Sequence, residues 1–432
     1  MLANLKRRLM GGEFARNVAK IAGGTAIGQG LVMASMPLLT RIYTPEHFGL
    51  QGVYVSVLSM LVVVACLRFE LAIPLPKEDG EAAHVLVLAL LSVGLVTLLT
   101  LAGCLFLGGW FLTTVRASGL RPYLVWVLPI GVFGGGAYQA MSYWALRRRD
   151  YARLAKTRVQ QGLAQVVTQI GLGLLPFGPL GLLAGADVGR LNGTGTLVRS
   201  ALEGEGKYFK SITREGLRSM ASRYREFPLL SAGSALINAA GLYIPVILFT
   251  RSFDTRLAGQ FSLAQRIIAI PIALIGQAVA QVYMAEGAAL LRDRPAELHA
   301  LLKRTIRKLL LLGAPPVLLL ALMGPWGFRL VFGPKWGEAG LYVRILCPMY
   351  LLQFVAFPVS QTLSILERQG LQIMWDVARL VAVVAAILIP ARLALGPTWT
   401  VASFGFALAL LYLAMLELIE REARKLTRGS HA

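Results

Sequence analysis

Charged residues inside otherwise apolar stretches set the chemistry open to this chain. Asp187 and Arg190 stand three residues apart, on one turn of the same helical face, and Asp376 and Arg379 repeat that spacing. Arg266 has Ser262, Leu263, Ala269 and Ile270 at the neighbouring positions of its own helix, none of them acidic. Arg344 lies near the end of an apolar run, where it is either a ligand contact or an interfacial anchor. A guanidinium stays charged when desolvated and grips a carboxylate or phosphate with two parallel hydrogen bonds. Arg190, Arg266, Arg344 and Arg379 are therefore candidate contacts for an anionic ligand, and Asp187 and Asp376 are candidate proton-coupling acids. The plainer reading of each acid–base pair is a structural ion pair. For Asp187 and Arg190 the three-residue spacing favours it, because both charges are satisfied locally.

Such charges are costly at bilayer depth, about 2.5–3.5 kcal/mol each at a helix centre, and the surrounding sequence is that of a membrane protein. Of 432 residues 56% are hydrophobic and 15% charged, and the mean hydropathy is +0.64. Roughly twelve stretches are long enough to cross a bilayer, near 18–40, 48–67, 83–107, 122–145, 159–177, 179–200, 227–250, 257–283, 308–331, 340–366, 371–390 and 398–418. The expected fold is all-α and polytopic. The 43 Lys and Arg against 22 Asp and Glu give a net charge of +21. About 31 of the basic residues fall in alternate gaps, among them Lys6, Arg7, Arg8, Arg147 to Arg149, Arg153, Lys156, Arg158, Arg214 and Arg424, which makes that side cytoplasmic. Both termini then lie inside. Topology explains the charge, with attraction to anionic lipid adding to it, and nucleic acid is not an expected partner.

The chain divides into a six-helix lobe at 1–200, a basic cytoplasmic linker at 201–226 and a second six-helix lobe with its tail at 227–432. Thr40-Arg41-Ile42-Tyr43 with Gly49 matches Thr250-Arg251-Ser252-Phe253 with Gly259 at one spacing. Gln139, Ser142 and Arg147 similarly match Gln361, Ser364 and Arg368. An even number of helices per half makes these parallel repeats about an axis along the membrane normal, with a pathway between them.

Several chemistries find no support. Outward loops are too short for the external catalytic loop of a membrane glycosyltransferase or polysaccharide polymerase, so the chain is not expected to be an enzyme. Gly23-Gly24-Thr25-Ala26-Ile27-Gly28 lacks the Lys-Ser/Thr of a phosphate-binding loop and falls within a span. His47, His84, His299 and His431 are scattered without metal-ligand spacing, and no metal or cofactor is expected. Cys66, Cys104 and Cys347 read as small buried side chains. Gly181, Gly185, Gly189 and Gly193 form a strip for close helix contact, and Asn192-Gly193-Thr194 lies inside that same helix. Arg68 and Glu70 read as water-reaching residues at the end of the second span, and prolines such as Pro37, Pro129, Pro245, Pro271, Pro348 and Pro358 as kinks.

Three ordered blocks carry a family resemblance. "PLLTRIYTPEHFGLQGVYVSV" runs from Pro37 to Val57, and "RYREFPLLSAGSALINAAGLYIPVILF" with "AGQFSLAQRIIAIPIALIGQAVAQVYM" from Arg223 to Met284. The third, "VFGPKWGEAGLYVRILCPMYLLQFVAFPVSQTLSILERQ", spans Val331 to Gln369. Over nearly the full chain the sequence resembles the polysaccharide-exporter, Wzx-like flippases of the multidrug/oligosaccharidyl-lipid/polysaccharide (MOP) superfamily. The resemblance implies two six-helix bundles in a V-shaped, alternating-access arrangement in the bacterial inner membrane. It implies transfer of an undecaprenyl-pyrophosphate-linked oligosaccharide from the inner to the outer leaflet, for O-antigen, capsule or exopolysaccharide. A polysaccharide polymerase and a chain-length regulator are the implied protein partners. Arg266, in the matching "AQRI" segment, is the residue most directly carried over as a headgroup contact, followed by Arg190 and Arg379. A drug or cation antiporter of the same superfamily is the alternative, and it calls for acids rather than arginines in the lumen.

The topology makes a direct prediction. Cysteines placed at Arg153, Arg214 and Arg424 are expected to resist an impermeant thiol reagent in intact cells, while cysteines at Glu338 or Ala117 are labelled. Labelling of the Arg214 site from outside refutes the assignment.

Overall fold

The computed structural model describes residues 13–429; Lys6, Arg7, Arg8 and His431 lie outside them. The described chain is helical with no strand, and it divides into two compact units, one running to Tyr243 and one from Ile244. The first unit holds α1 (Glu13–Ile42), α2 (Pro45–Ala65), α3 (Asp79–Thr114), α4 (Arg121–Arg147), α5 (Tyr151–Gly173), α6 (Leu180–Leu191), α7 (Thr194–Lys210) and α8 (Arg214–Arg223). α9 (Ala232–Ser252) leads into the second, with α10 (Thr255–Asp293), α11 (Leu298–Phe332), α12 (Gly337–Val359), α13 (Gln361–Ile365), α14 (Gln369–Arg392) and α15 (Gly396–Gly429). Among the described residues ten helical segments are long and apolar enough to cross a membrane. The expected spans at 159–177 and 179–200 fall short of that standard. α5 carries Lys156, Arg158, Gln160, Gln161, Gln165 and Gln169, and α6 is only 12 residues long.

These two helices depart most from expectation. The single helix expected over 179–200 is broken at Asn192-Gly193, between α6 and α7. Gly193 takes φ +89°, a left-handed conformation that only glycine adopts without strain, and an added Cβ would lie 2.7 Å from the Thr157 Cβ. Asn192-Gly193-Thr194 is thus the break itself, an Asn-Gly signal readable in the sequence. The glycine strip packs as expected. Gly185 and Gly189 face Gln165 and Gln169 of α5, and a Cβ at either would overlap them. Gln169 donates to the Leu182 carbonyl at 3.3 Å and Gln161 to the Arg190 carbonyl at 3.4 Å. Beside that face of α5, Gly162 meets the backbone of Gly28, so the glycine-rich run of α1 is a packing surface.

The stretch expected as the linker, 201–226, contains helical structure. α7 and α8 occupy most of it, and α8 docks on α3. Thr213 caps α8 through the Gly216 amide at 3.1 Å and donates its own amide to His84 Nε2 at 3.1 Å, while Arg223 reaches Glu81 at 3.3 Å. A second correction concerns Glu70. It lies in a 3-10 turn, Phe69–Ala72, and is 0% exposed rather than water-reaching. A third is Ala117, which is fully buried, so the neighbouring exposed Ser118 is the residue to label.

Each unit is organised on a heavily buried helix. α4 packs on α2, α3 and α6, and α12 on α10, α11 and α15. The matched sequence blocks adopt matched local structure. Arg41 and Arg251 lie in the last turns of α1 and α9, and Thr44 and Asp254 cap α2 and α10 through the amides of His47 and Leu257. Arg147 ties the end of α4 to Asp79 at 2.8 Å and to the Pro76 carbonyl at 2.7 Å, and Arg368 lies 3.6 Å from Glu422. Trp110, Trp126, Trp326 and Trp399 are exposed near helix ends, as expected of an interfacial aromatic belt.

Arg344 is explained by a proline. Pro325 has no N–H, so within α11 the Ala321 carbonyl loses its donor four residues on. Arg344 of α12 supplies one, Nε donating to Ala321 at 2.8 Å and Nη2 to Leu322 at 3.1 Å. Arg344→Leu is expected to cost about 1–3 kcal/mol by stranding the Ala321 carbonyl, measured as a lower melting temperature in detergent. Adding Pro325→Ala, which restores the missing donor, is expected to recover most of that loss. An unchanged melting temperature in Arg344→Leu refutes this role.

Candidate functional site

A cavity of about 260 Å³ opens inside the first unit. α4 supplies Gly135, Tyr138, Gln139, Ser142 and Tyr143, α5 supplies Arg158 and Gln161, α6 supplies Arg190, and α2 supplies Val62. Its lining contains two guanidinium groups and no carboxylate. The glycines of α4 bring the helices close enough to form it. A Cβ at Gly134 would overlap Leu191, and one at Gly135 would lie 2.7 Å from a Val62 methyl.

Arg190 occupies the last turn of α6, directly before the break, and is half-buried. Its Nη2 donates to Ser59 Oγ at 3.1 Å. Arg158 is exposed towards the cavity, its guanidinium 5.1 Å from the centre of the Tyr138 ring. The Tyr138 hydroxyl in turn meets Thr157 Oγ1 at 2.9 Å, which fixes the ring. Arg158 was grouped with the cytoplasmic charges in the sequence. The signal that distinguishes it is the stripe Gln161, Gln165 and Gln169 on the same helix, polar residues at helical spacing inside a span.

The acids near the cavity are withheld from it. Asp187 is buried and accepts from the Tyr54 hydroxyl, at 2.6 Å to one oxygen and 2.7 Å to the other. No nitrogen of Arg190 comes within the 4.0 Å of an ion pair, so the pair favoured by the sequence spacing is not formed. Glu70 lies behind the wall. Gln139 Nε2 donates to its Oε1 at 2.9 Å, and Arg68 approaches the same oxygen at 3.2 Å. Glu70 falls between the membrane-spanning segments, and burial pushes its carboxyl above the usual carboxylate range, against the opposing pull of Arg68 and Gln139.

In the second unit the expected residues serve different ends. Asp376 and Arg379 are both buried and do pair, with Arg379 Nη2 3.3 Å from Asp376 Oδ1. The guanidinium also lies 4.8 Å over the Trp375 ring, whose centre is 5.7 Å from Tyr412. Arg266 is half-buried on α10 and engages a neighbouring group. Arg344 is committed to the carbonyls of α11 and drops out of the ligand set. Among the described residues no group of His, Cys, Asp or Glu could hold a metal ion, and the three cysteines are buried and unbridged.

This fold and its sequence have known counterparts. The family model described as polysaccharide biosynthesis protein matches residues 38–340. The succinoglycan biosynthesis transport protein ExoT of Rhizobium meliloti (strain 1021) is 25% identical over 387 residues, covering 86% of this chain and 74% of its own. An inward-facing multidrug resistance MATE family transporter of the MOP superfamily superposes with a TM-score of 0.76 at 16% identity, over 94% of this chain and 96% of its own. The lipid II flippase MurJ, in its inward closed conformation, gives 0.74 at 10% identity, over 95% and 90%. The chain is a multi-pass, all-helical membrane protein that belongs to the polysaccharide biosynthesis protein family and has the fold of the MOP transporters.

Proposed function

We propose that the chain is a flippase that carries an undecaprenyl-pyrophosphate-linked oligosaccharide from the inner to the outer leaflet of the bacterial inner membrane, by alternating access. The observation that carries this reading is the cavity of the first unit, where Arg158 and Arg190 face one space lined by no acid. Two guanidinium groups on one cavity wall suit a pyrophosphate, which accepts paired hydrogen bonds at several oxygens. Gln139, Gln161 and Ser142 supply neutral donors and acceptors beside them, suited to the hydroxyl groups of the first sugar. Membership in a polysaccharide biosynthesis family supports the substrate class, as do a relative named for succinoglycan transport and a fold neighbour named a lipid II flippase.

On this reading the product feeds O-antigen, capsule or exopolysaccharide synthesis, beside a polysaccharide polymerase and a chain-length regulator. Both termini face the cytoplasm. Arg266 of the second unit meets the headgroup at another stage, and Asp187 and Asp376 are the candidate coupling acids. A cation antiporter would need a carboxylate at the cavity wall, yet Asp187 is bound to Tyr54 and Glu70 is wholly buried.

The double variant Arg158→Gln with Arg190→Gln is expected to abolish surface polysaccharide at normal protein level, with lipid-linked repeat units accumulating in the inner leaflet. Each single variant should lower export about tenfold, the cost of one charge-assisted contact. Normal surface polysaccharide in the double variant refutes the proposal.

A further inference from the structure

An acid and a base three residues apart on one helix ordinarily pair. Asp376 and Arg379 do so in the second unit, at 3.3 Å. Asp187 and Arg190 have the same spacing and order, yet each faces a neutral partner from α2. The Tyr54 hydroxyl lies within 2.7 Å of both Asp187 oxygens, and Ser59 accepts from Arg190 at 3.1 Å. Tyr54 has little freedom to do otherwise. Its side chain is 1% exposed, and its hydroxyl also lies 3.2 Å from the Val127 carbonyl of α4. Space for the carboxylate comes from Gly131 of α4, where a Cβ would overlap Asp187 Oδ1 and come 2.9 Å from a Leu58 methyl. Tyrosine, glycine and neighbouring backbone therefore form a built receptacle for one carboxylate.

We propose that Tyr54 is a positioning residue that detains the Asp187 carboxylate, so that Arg190 presents a guanidinium outside any direct ion pair to the anionic headgroup. The inference rests on the reading of the cavity as the headgroup site. A phenol satisfies a carboxylate through a hydrogen bond without bringing a positive charge, so no cation is consumed in holding Asp187. Released from Tyr54, the carboxylate needs only a side-chain rotation to reach Arg190 on its own helix. In a low-dielectric surrounding that pair would be strongly held. It would also occupy the donors that a pyrophosphate needs and cancel the local charge. Ser59 performs the complementary task, orienting Arg190 with a neutral acceptor that a ligand oxygen can outcompete.

The test uses the full-length protein in lipid nanodiscs, with farnesyl pyrophosphate as the probe and melting temperature recorded beside each binding curve. Arg190→Gln should weaken binding about tenfold; binding unchanged in that variant refutes the headgroup reading itself. Given that loss, Tyr54→Phe should weaken binding by a similar factor, and Tyr54→Phe with Asp187→Asn should restore it to within about twofold of the native chain. Asp187→Asn alone should bind at least as well as the native protein. Undiminished binding in Tyr54→Phe overturns the positioning role, as does a double variant that stays as weak as the single. Should Tyr54→Phe fail to fold, Asp187→Asn still decides: binding lost to the extent seen in Arg190→Gln means the carboxylate itself is needed, and the proposal falls.

Discussion

A polar helix is tolerable at bilayer depth only where a neighbour approaches closely enough to answer its groups, and the contact of α5 with α6 meets that condition. α5 brings glutamines at four-residue spacing, α6 brings glycines at the same spacing, and the two interlock. Without the glycines, the glutamine side chains could not reach the α6 backbone. Gln161 and Gln169 both donate to its carbonyls. Small residues are therefore what admit polar ones here. The same approach leaves Arg158 and Arg190, which flank the interlocked face, on one cavity. The site is a consequence of how a polar pair of helices was made compatible with the membrane.

Arginine is put to distinct uses around this framework, and the partner decides which. Arg379 has a carboxylate and an aromatic face, so its charge is neutralised and its position fixed. Arg344 has only two carbonyls of α11, one of which a proline left without its donor, and it acts as a backbone patch. Arg147 combines both, joining Asp79 and the carbonyls of the Pro74 and Pro76 turn to the end of α4. Arg158 and Arg190 differ from all of these. Their partners are a ring and a hydroxyl, which orient a guanidinium without cancelling its charge. That difference, rather than depth or sequence spacing, separates a ligand contact from a structural cation.

Much of this was legible in the sequence, and what was not has a physical reason. Hydropathy and the basic gaps are local properties, so the helical membrane class could be read directly, as could the repeated helix-cap-helix blocks around Thr44 and Asp254. The glycine strip of α6 was legible because its period is that of a helix. Asn192-Gly193 was visible, but it was placed inside one continuous helix over 179–200. The burial of Glu70 was not legible: it depends on Gln139, distant in sequence, folding back over a short 3-10 turn. The partner choice of Asp187 was illegible for the same reason. Spacing on one helix proposes Arg190, and only the tertiary arrangement of α2 and α4 supplies the competitor. Arg158 was assigned to the membrane surface because the rule that fixes topology counts charges without asking where their side chains turn.

The break in the helix completes the electrostatic account. An arginine within a membrane normally needs an acid or water, and Arg190 has a neutral hydroxyl. It also stands in the last turn of α6, where the final carbonyls of the helix point towards its C-terminal end and carry partial negative charge. Had α6 continued unbroken into α7, Arg190 would stand in a helix interior and not at a terminus, and that compensation would be lost. Gly193 makes the termination possible by entering a left-handed conformation, and Thr157 of α5 fills the place where a larger residue would need its side chain. A helix terminus stabilises a cation by fixed dipoles that cannot leave, migrate or be protonated. Such dipoles lower the cost of holding the guanidinium while leaving its charge available. A carboxylate in the same place would lower that cost further and remove the reason for having the arginine there.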